Sequence, residues 1–212
     1  MLLKNRIKSL ASPDLAHLIG LQDTFQSLIV RDAPAQDLAG LLNGLDHRSR
    51  LACTRSLGPG HLKKLYEQVD GFRKVTIADV VPPTVGVRNP VRHYGKNSLP
   101  AFTIFEKRFL SPEKGATELW GYNHQALAPV TGNGYFVAYD AKDRPEVDID
   151  YNRVPPERPA GWPELKPNDR GLSTLVYAYM VDKLRGITEH VSIGRAWKKG
   201  KIQPAWFILC RE

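Results

Sequence analysis

The chain has little cysteine, and the two residues it has are not placed as a pair. Cys53 and Cys210 lie far apart in apolar surroundings, and neither belongs to a C-x-x-C motif. A disulfide framework of the small secreted type is excluded. Two buried free thiols in a reducing compartment are expected, with a single disulfide or a reactive thiol as the alternatives.

Long apolar runs are also missing. No segment approaches the roughly 20 apolar residues of a membrane-spanning helix. The start, MLLKNRIKSL, lacks the apolar core of about 7–15 residues that a secretory signal needs. A cytoplasmic protein is the expectation. Lys4, Arg6 and Lys8 interleave with Leu2, Leu3, Ile7 and Leu10. That pattern fits a solvated terminus or a short amphipathic helix making weak peripheral membrane contact.

The familiar catalytic signatures are absent as well. There is no G-x-S-x-G elbow, H-E-x-x-H pair, P-loop or dinucleotide fingerprint. Gly132-Asn133-Gly134 precedes a strand-like segment and not a helix, so it is a turn and not a phosphate cradle. No 20- to 50-residue repeat marks a solenoid or propeller. No cofactor is implied. The histidines His93, His124 and His190 are the only set that strand neighbours could bring to a metal, and nothing in their spacing shows convergence.

The 212 residues are 42% apolar and 25% charged, a globular composition. The formal charge of +8 permits weak attraction to anions. The basic residues are scattered, however, and the densest group, Arg195, Lys198, Lys199 and Lys201, sits at a hairpin-like turn, where lysines discourage strand pairing with other molecules. Phe102, Phe105 and Phe109 with Lys107 and Arg108 come nearest to a nucleic-acid stacking surface. Phe105, Lys107 and Phe109 share one face, while Phe102 and Ile104 share the other with Glu106. Both faces are substantially apolar, so this segment is core, and no nucleic-acid partner is expected.

Residues 13 to 70 show helical periodicity with short breaks at Asp32–Pro34, Asn43-Gly44 and Gly58-Pro59-Gly60. From Phe72 the pattern becomes strand-like. Lys74 to Val81 is β-branched and predicts a strand. Val91 to Tyr94 is a short strand or a loop, and Arg92 to Asn97 reads as a polar, glycine-containing loop before the next strand. Further strands are expected at 101–110, 119–123, 134–140, 146–151, 172–181, 187–197 and 204–211, with turns at 182–186 and 198–201. Residues 154–171 carry five prolines and no periodicity. Such a loop is stiff and extended, and Trp162 at its centre is either the anchor of a lid or a staple on the outer surface.

Both faces of the last strands are apolar, although an antiparallel sheet usually keeps one face wet. The sheet must therefore be covered twice. The expected fold is α+β: an N-terminal helical segment, residues 1–71, packed within the same domain on a strongly curved antiparallel sheet or barrel, residues 72–212. In outline this is similar to lipocalin-like ligand-binding barrels, although the Gly-x-Trp near the first strand is absent and the chain begins with helices. The face Thr188, His190, Ser192, Gly194 and Ala196 is small enough to line a cavity or to meet solvent.

The stretch Thr117 to Asp140 holds the densest mixture of aromatic and polar side chains. The leading functional expectation is a binding protein for a small, mostly apolar ligand, with or without an acidic group. The pocket would be lined by Trp120, Tyr122, His124, Tyr135, Tyr177 and His190, with Trp162 over the mouth. A proton-transfer enzyme is the second reading, with Glu106, Glu118, Asp148, Asp150, His124 or His190 as the acid or base. A structural or interaction module is the third. Nothing in the chain specifies an oligomeric state.

Overall fold

A computed structural model describes residues 13–100, 103–124, 132–168 and 177–212. Eight strands within them form a closed barrel: β1 Val91–Asn97, β2 Ile104–Leu110, β3 Glu118–His124, β4 Tyr135–Asp140, β5 Val147–Asp150, β6 Met180–Gly186, β7 Val191–Lys198 and β8 Lys201–Arg211. Every neighbouring pair is antiparallel, and β8 closes on β1 with Leu209 opposite Gly95. Among the described residues, five α-helices precede the barrel: α1 Pro13–Val30, α2 Ala35–Asn43, α3 His47–Arg55, α4 Pro59–Gln68 and the short α5 Ile77–Val80. The fold is therefore α+β, with N-terminal helices on an antiparallel barrel. Among the described residues no helix is long and apolar enough to cross a membrane.

Local chemistry explains the helix starts. Asp46 accepts the Ser49 amide at 2.7 Å and caps α3, and Pro59 stands in the first turn of α4, where no amide donor is lost. Phe25, Ile29, Leu38, Leu42, Leu62 and Leu65 then form one apolar layer. It covers Val191, Ile193, Ile208 and Cys210 on the outer face of β7 and β8. This accounts for strands that are apolar on both sides. Cys53 and Cys210 lie in this layer as free thiols, each pushed up to about 11 by burial.

Two sequence expectations change. Residues 74–81 do not form a strand. Thr76 and Asp79 make a reciprocal cap that starts the single turn of α5. Val75, Val80 and Val81 then push into one end of the barrel and plug it. The second change is at 177–186: residues 177–179, expected in a strand, form a turn, and β6 starts at Met180 and runs through 182–186, expected as a turn. Of the two readings of Val91 to Tyr94, the strand holds, and β1 extends through the polar stretch to Asn97. The expected N-terminal membrane-touching helix, residues 101–102 of the 101–110 strand, and residues 172–176 of the 172–181 strand lie outside the described residues.

Inside the barrel, three glycines each carry an aromatic ring from a neighbouring strand. A Cβ at Gly95, Gly121 or Gly194 would lie 2.5, 2.1 or 2.1 Å from Phe105, Phe136 or Phe207 respectively. The missing side chains let the rings lie flat against the wall. Gly121→Ala should destabilise the protein by about 1–3 kcal/mol, because the Phe136 ring must leave its place. Gly20→Ala, in α1 with open space around the new carbon, should stabilise by about 0.5–1 kcal/mol. Urea midpoints of the two variants shifting in the same direction would refute this account of the barrel wall.

Candidate functional site

Alternation along each strand decides what faces inward. Phe105, Lys107 and Phe109 point in from β2, and Asn123 from β3. Tyr151 follows β5 directly and points in, as does Asp182 from β6. Ala196 on β7 and Ala205 and Phe207 on β8 face the same space. Of the small face foreseen at Thr188, His190, Ser192, Gly194 and Ala196, only Ala196 lines this cavity; Gly194 seats the Phe207 ring, and Thr188 and His190 lie before the start of β7.

Lys107, Asn123, Tyr151 and Asp182 meet there. The Lys107 ammonium donates to Asn123 Oδ1 at 3.0 Å, to Asp182 Oδ2 at 3.1 Å and to the Tyr151 hydroxyl oxygen. Tyr151 donates its own proton to Asp182 Oδ2 at 3.1 Å and accepts from Asn123 Nδ2 at 3.1 Å. The ion pair is almost dry, with side-chain exposures of 3% for Lys107 and 5% for Asp182. Around the ammonium, the centres of Phe207, Tyr151, Phe136 and Phe105 lie 5.0, 5.0, 5.3 and 5.6 Å away. The negative ring faces add to the attraction that holds the charge.

Burial pulls the Lys107 ammonium below its ordinary range, and Asp182 opposes that pull. Burial and the Asp182 charge push Tyr151 well above a normal phenol, so it stays a proton donor at neutral pH. The quartet forms the floor of a cavity of about 160 Å³, walled by Leu99, Tyr177, Met180, Ala196, Ala205 and Phe207. Tyr177 stacks on Tyr151 at 5.3 Å and lies against Gly134, whose φ of +53° suits glycine. Among the described residues, the plug closes the opposite end and the cavity opens beside the β1–β2 and β7–β8 turns.

Of the residues foreseen as a pocket, only Tyr177 reaches this cavity. Trp120, Tyr122, Tyr135 and Trp162 do come together, but on the outer face of β3 and β4. Trp162 packs on Tyr122 at 4.7 Å, and the Tyr135 hydroxyl donates to the Pro163 carbonyl at 2.6 Å. The proline-rich segment is thus bound across the outside, with Trp162 as its staple. His124 is exposed beside that cluster. His190 sits in the turn before β7, at the plugged end, paired with Glu189 at 2.8 Å. Strand alternation is the reason: Trp120 and Tyr122 alternate with inward Gly121 and Asn123 along β3.

The carboxylates considered for catalysis face outward into ion pairs or turns: Glu106 with Arg108, Glu118 with Arg153, Asp148 with Arg144, and Asp150 accepting from Asn152. Among the described residues, no group of His, Cys, Asp and Glu side chains is arranged to hold a metal ion. His93 points inward and His124 outward, so they do not converge. No family model matches the chain, and no curated protein or solved structure matches it.

Two measurements follow. Lys107→Met should cost roughly 3–5 kcal/mol, because Asp182 is left buried without its cation. The double variant Lys107→Met with Asp182→Leu should recover most of that loss in chemical denaturation. Equal losses for the single and double variants would rule out a coupled pair.

His93 supplies the second. Its Nε2 donates to the Val80 carbonyl at 2.9 Å, and Nδ1 is buried without a partner. Its pKa is lowered from 6.5 to about 4, chiefly by burial, with the Val80 bond partly opposing and the Arg211 and Lys107 charges adding in the same direction as burial. Below pH 6.5 the unfolded chain binds a proton that the folded chain refuses until about pH 4. The stabilisation is therefore complete above the unfolded pKa and is lost as pH falls through this window, on the order of 3 kcal/mol. His93→Gln keeps a donor for Val80 and should flatten that acid-side loss. Identical pH slopes for the two proteins would exclude His93 as the cause.

Proposed function

We propose that the chain binds a small, mostly apolar molecule in the mouth of the barrel, with a neutral oxygen of the ligand at the Lys107–Asn123–Tyr151–Asp182 floor. The observation that carries this reading is the coincidence of an unfilled, aromatic-walled space with buried polar groups. Pockets that orient small ligands combine apolar walls with a few convergent donors and acceptors. A cavity of about 150 Å³ admits benzene, so this one suits a body of about one ring.

The charge balance narrows the ligand. Asp182 already neutralises Lys107 at 3.1 Å. A ligand carboxylate would place a second negative charge beside Asp182 with no second cation inside the quartet. A carbonyl or hydroxyl oxygen can instead take over one of the Tyr151 or Lys107 hydrogen bonds now made within the quartet, without changing the net charge. The acidic ligand considered from sequence is therefore the less favoured form. The enzyme reading keeps one specific support, the Tyr151–Asp182 hydrogen bond at the cavity floor, which is a proton path.

Acetophenone and benzoate separate these forms. Acetophenone should raise the melting temperature in proportion to its concentration, as a native-state ligand does, and should shift the NMR signals of Tyr177 and Phe207. Benzoate should do neither. Ala196→Phe, which fills the cavity from β7, should abolish the acetophenone effect while circular dichroism remains native. Acetophenone shifts that survive Ala196→Phe would place binding elsewhere.

A further inference from the structure

We infer that Lys107 is a covalent catalyst that forms a Schiff base with a small aldehyde or ketone in this cavity, with Asp182 as its proton acceptor and counter-ion. The inference rests on the binding reading above and assigns the chemistry of the same site. Three geometric facts carry it. Lys107 is one of the residues that line an open space although it is 2% exposed. Asp182 Oδ2 lies 3.1 Å from that nitrogen and 3.1 Å from the Tyr151 hydroxyl, so one carboxylate can exchange protons with both. The walls are aromatic and aliphatic, which limits water around an imine.

Charge conservation makes the step favourable in a dry site. Before reaction there is an ammonium beside a carboxylate. Transfer of one ammonium proton to Asp182 gives a neutral amine and a neutral acid, with no change of net charge in the dry site. The Nζ lone pair then forms a bond to the carbonyl carbon. The π pair moves to oxygen, which gains a proton, and the nitrogen loses one, giving a neutral carbinolamine. Tyr151 can relay these protons while Asp182 remains protonated. Next the C–O bond breaks, and the hydroxyl leaves as water with the proton that Asp182 held. The nitrogen lone pair completes the C=N bond. The product is an iminium on Lys107 beside the Asp182 carboxylate, with one water released. No oxidant or reductant takes part, and the buried net charge at the end equals that at the start.

A carbonyl whose apolar body resembles one ring matches the space. Alternation along β6 places Asp182 in the interior where a hydrophobic side chain would be the simpler filling. Desolvation of the lysine adds to its reactivity, since a less basic amine carries more of the nucleophilic neutral form.

The experiment uses the full chain, benzaldehyde and sodium cyanoborohydride at neutral pH, with intact mass and peptide mapping as readouts. Reduction fixes any imine as a benzyl amine. Lys107 should be labelled ahead of the surface lysines, and acetophenone in excess should slow that labelling without affecting the surface sites. Asp182→Asn should reduce Lys107 labelling by about a hundredfold, the scale of a lost acid–base group. If Asp182→Asn does not fold, Tyr151→Phe should slow the same site while surface labelling stays constant. Benzaldehyde that shifts Tyr177 signals without labelling Lys107 would overturn the covalent inference and leave the binding reading standing. Neither shifts nor labelling at Lys107 would overturn both. Labelling at Lys107 that is unchanged in both variants would overturn the role given to Asp182.

Discussion

An ammonium inside a β-barrel needs a reason to stay. Removing Lys107 from water costs several kcal/mol unless every proton finds an acceptor and the charge finds a counter-charge. Here Asn123, Tyr151 and Asp182 take its protons, and four rings surround it. Much of the barrel follows from that requirement. The four polar groups come from β2, β3, the end of β5 and β6, so only a closed sheet with this register brings them together. The rings that surround the charge need flat seats, and the inward glycines on β1, β3 and β7 supply them.

The helices and the plug answer a different constraint. A barrel with apolar residues on both faces must be covered outside as well as filled inside. Helices α1 to α4 cover β7 and β8, and the proline-rich segment covers β3 and β4. Residues 75–81 close one end. Among the described residues, what is left uncovered is the end where Leu99, Tyr177 and Met180 surround the floor. The site is thus defined as much by what the other segments seal as by the residues that line it.

Much of the architecture was legible in local pattern. The helical periodicity before residue 70, the β signals after it and the doubly apolar last strands lead to helices on a curved antiparallel sheet, as the structure has it. The small face at Ser192, Gly194 and Ala196 was also legible, because alternation is a short-range property. Which aromatic face turned inward was not. When both faces are apolar, hydrophobicity cannot choose between Trp120–Tyr122 and Gly121–Asn123. The deciding fact is that Phe136 needs a glycine seat and the 154–168 segment needs an apolar floor, and both are tertiary. Lys107 had been placed on one face with Phe105 and Phe109, yet its partner lies 75 residues away. Asp182 itself hid the strand: Asp-Lys-Leu-Arg-Gly looks like a turn unless an interior lysine explains the aspartate.

A buried ion pair is weak evidence of a stability role. Well-packed apolar residues of similar volume commonly serve as well or better, by about 1–4 kcal/mol. If the quartet existed only to fill the barrel, the rings of Phe105, Phe136 and Phe207 could close over a leucine in place of Lys107. They do not close; the polar groups stand at the edge of an open cavity, with an acid and a base sharing one oxygen of Asp182. Hydrogen bonds hold each member in place before any ligand arrives, which is the arrangement that lets fixed dipoles act without reorganising. Cost without a packing return, together with space beside the costly groups, is the physical argument that this floor is used and not merely buried.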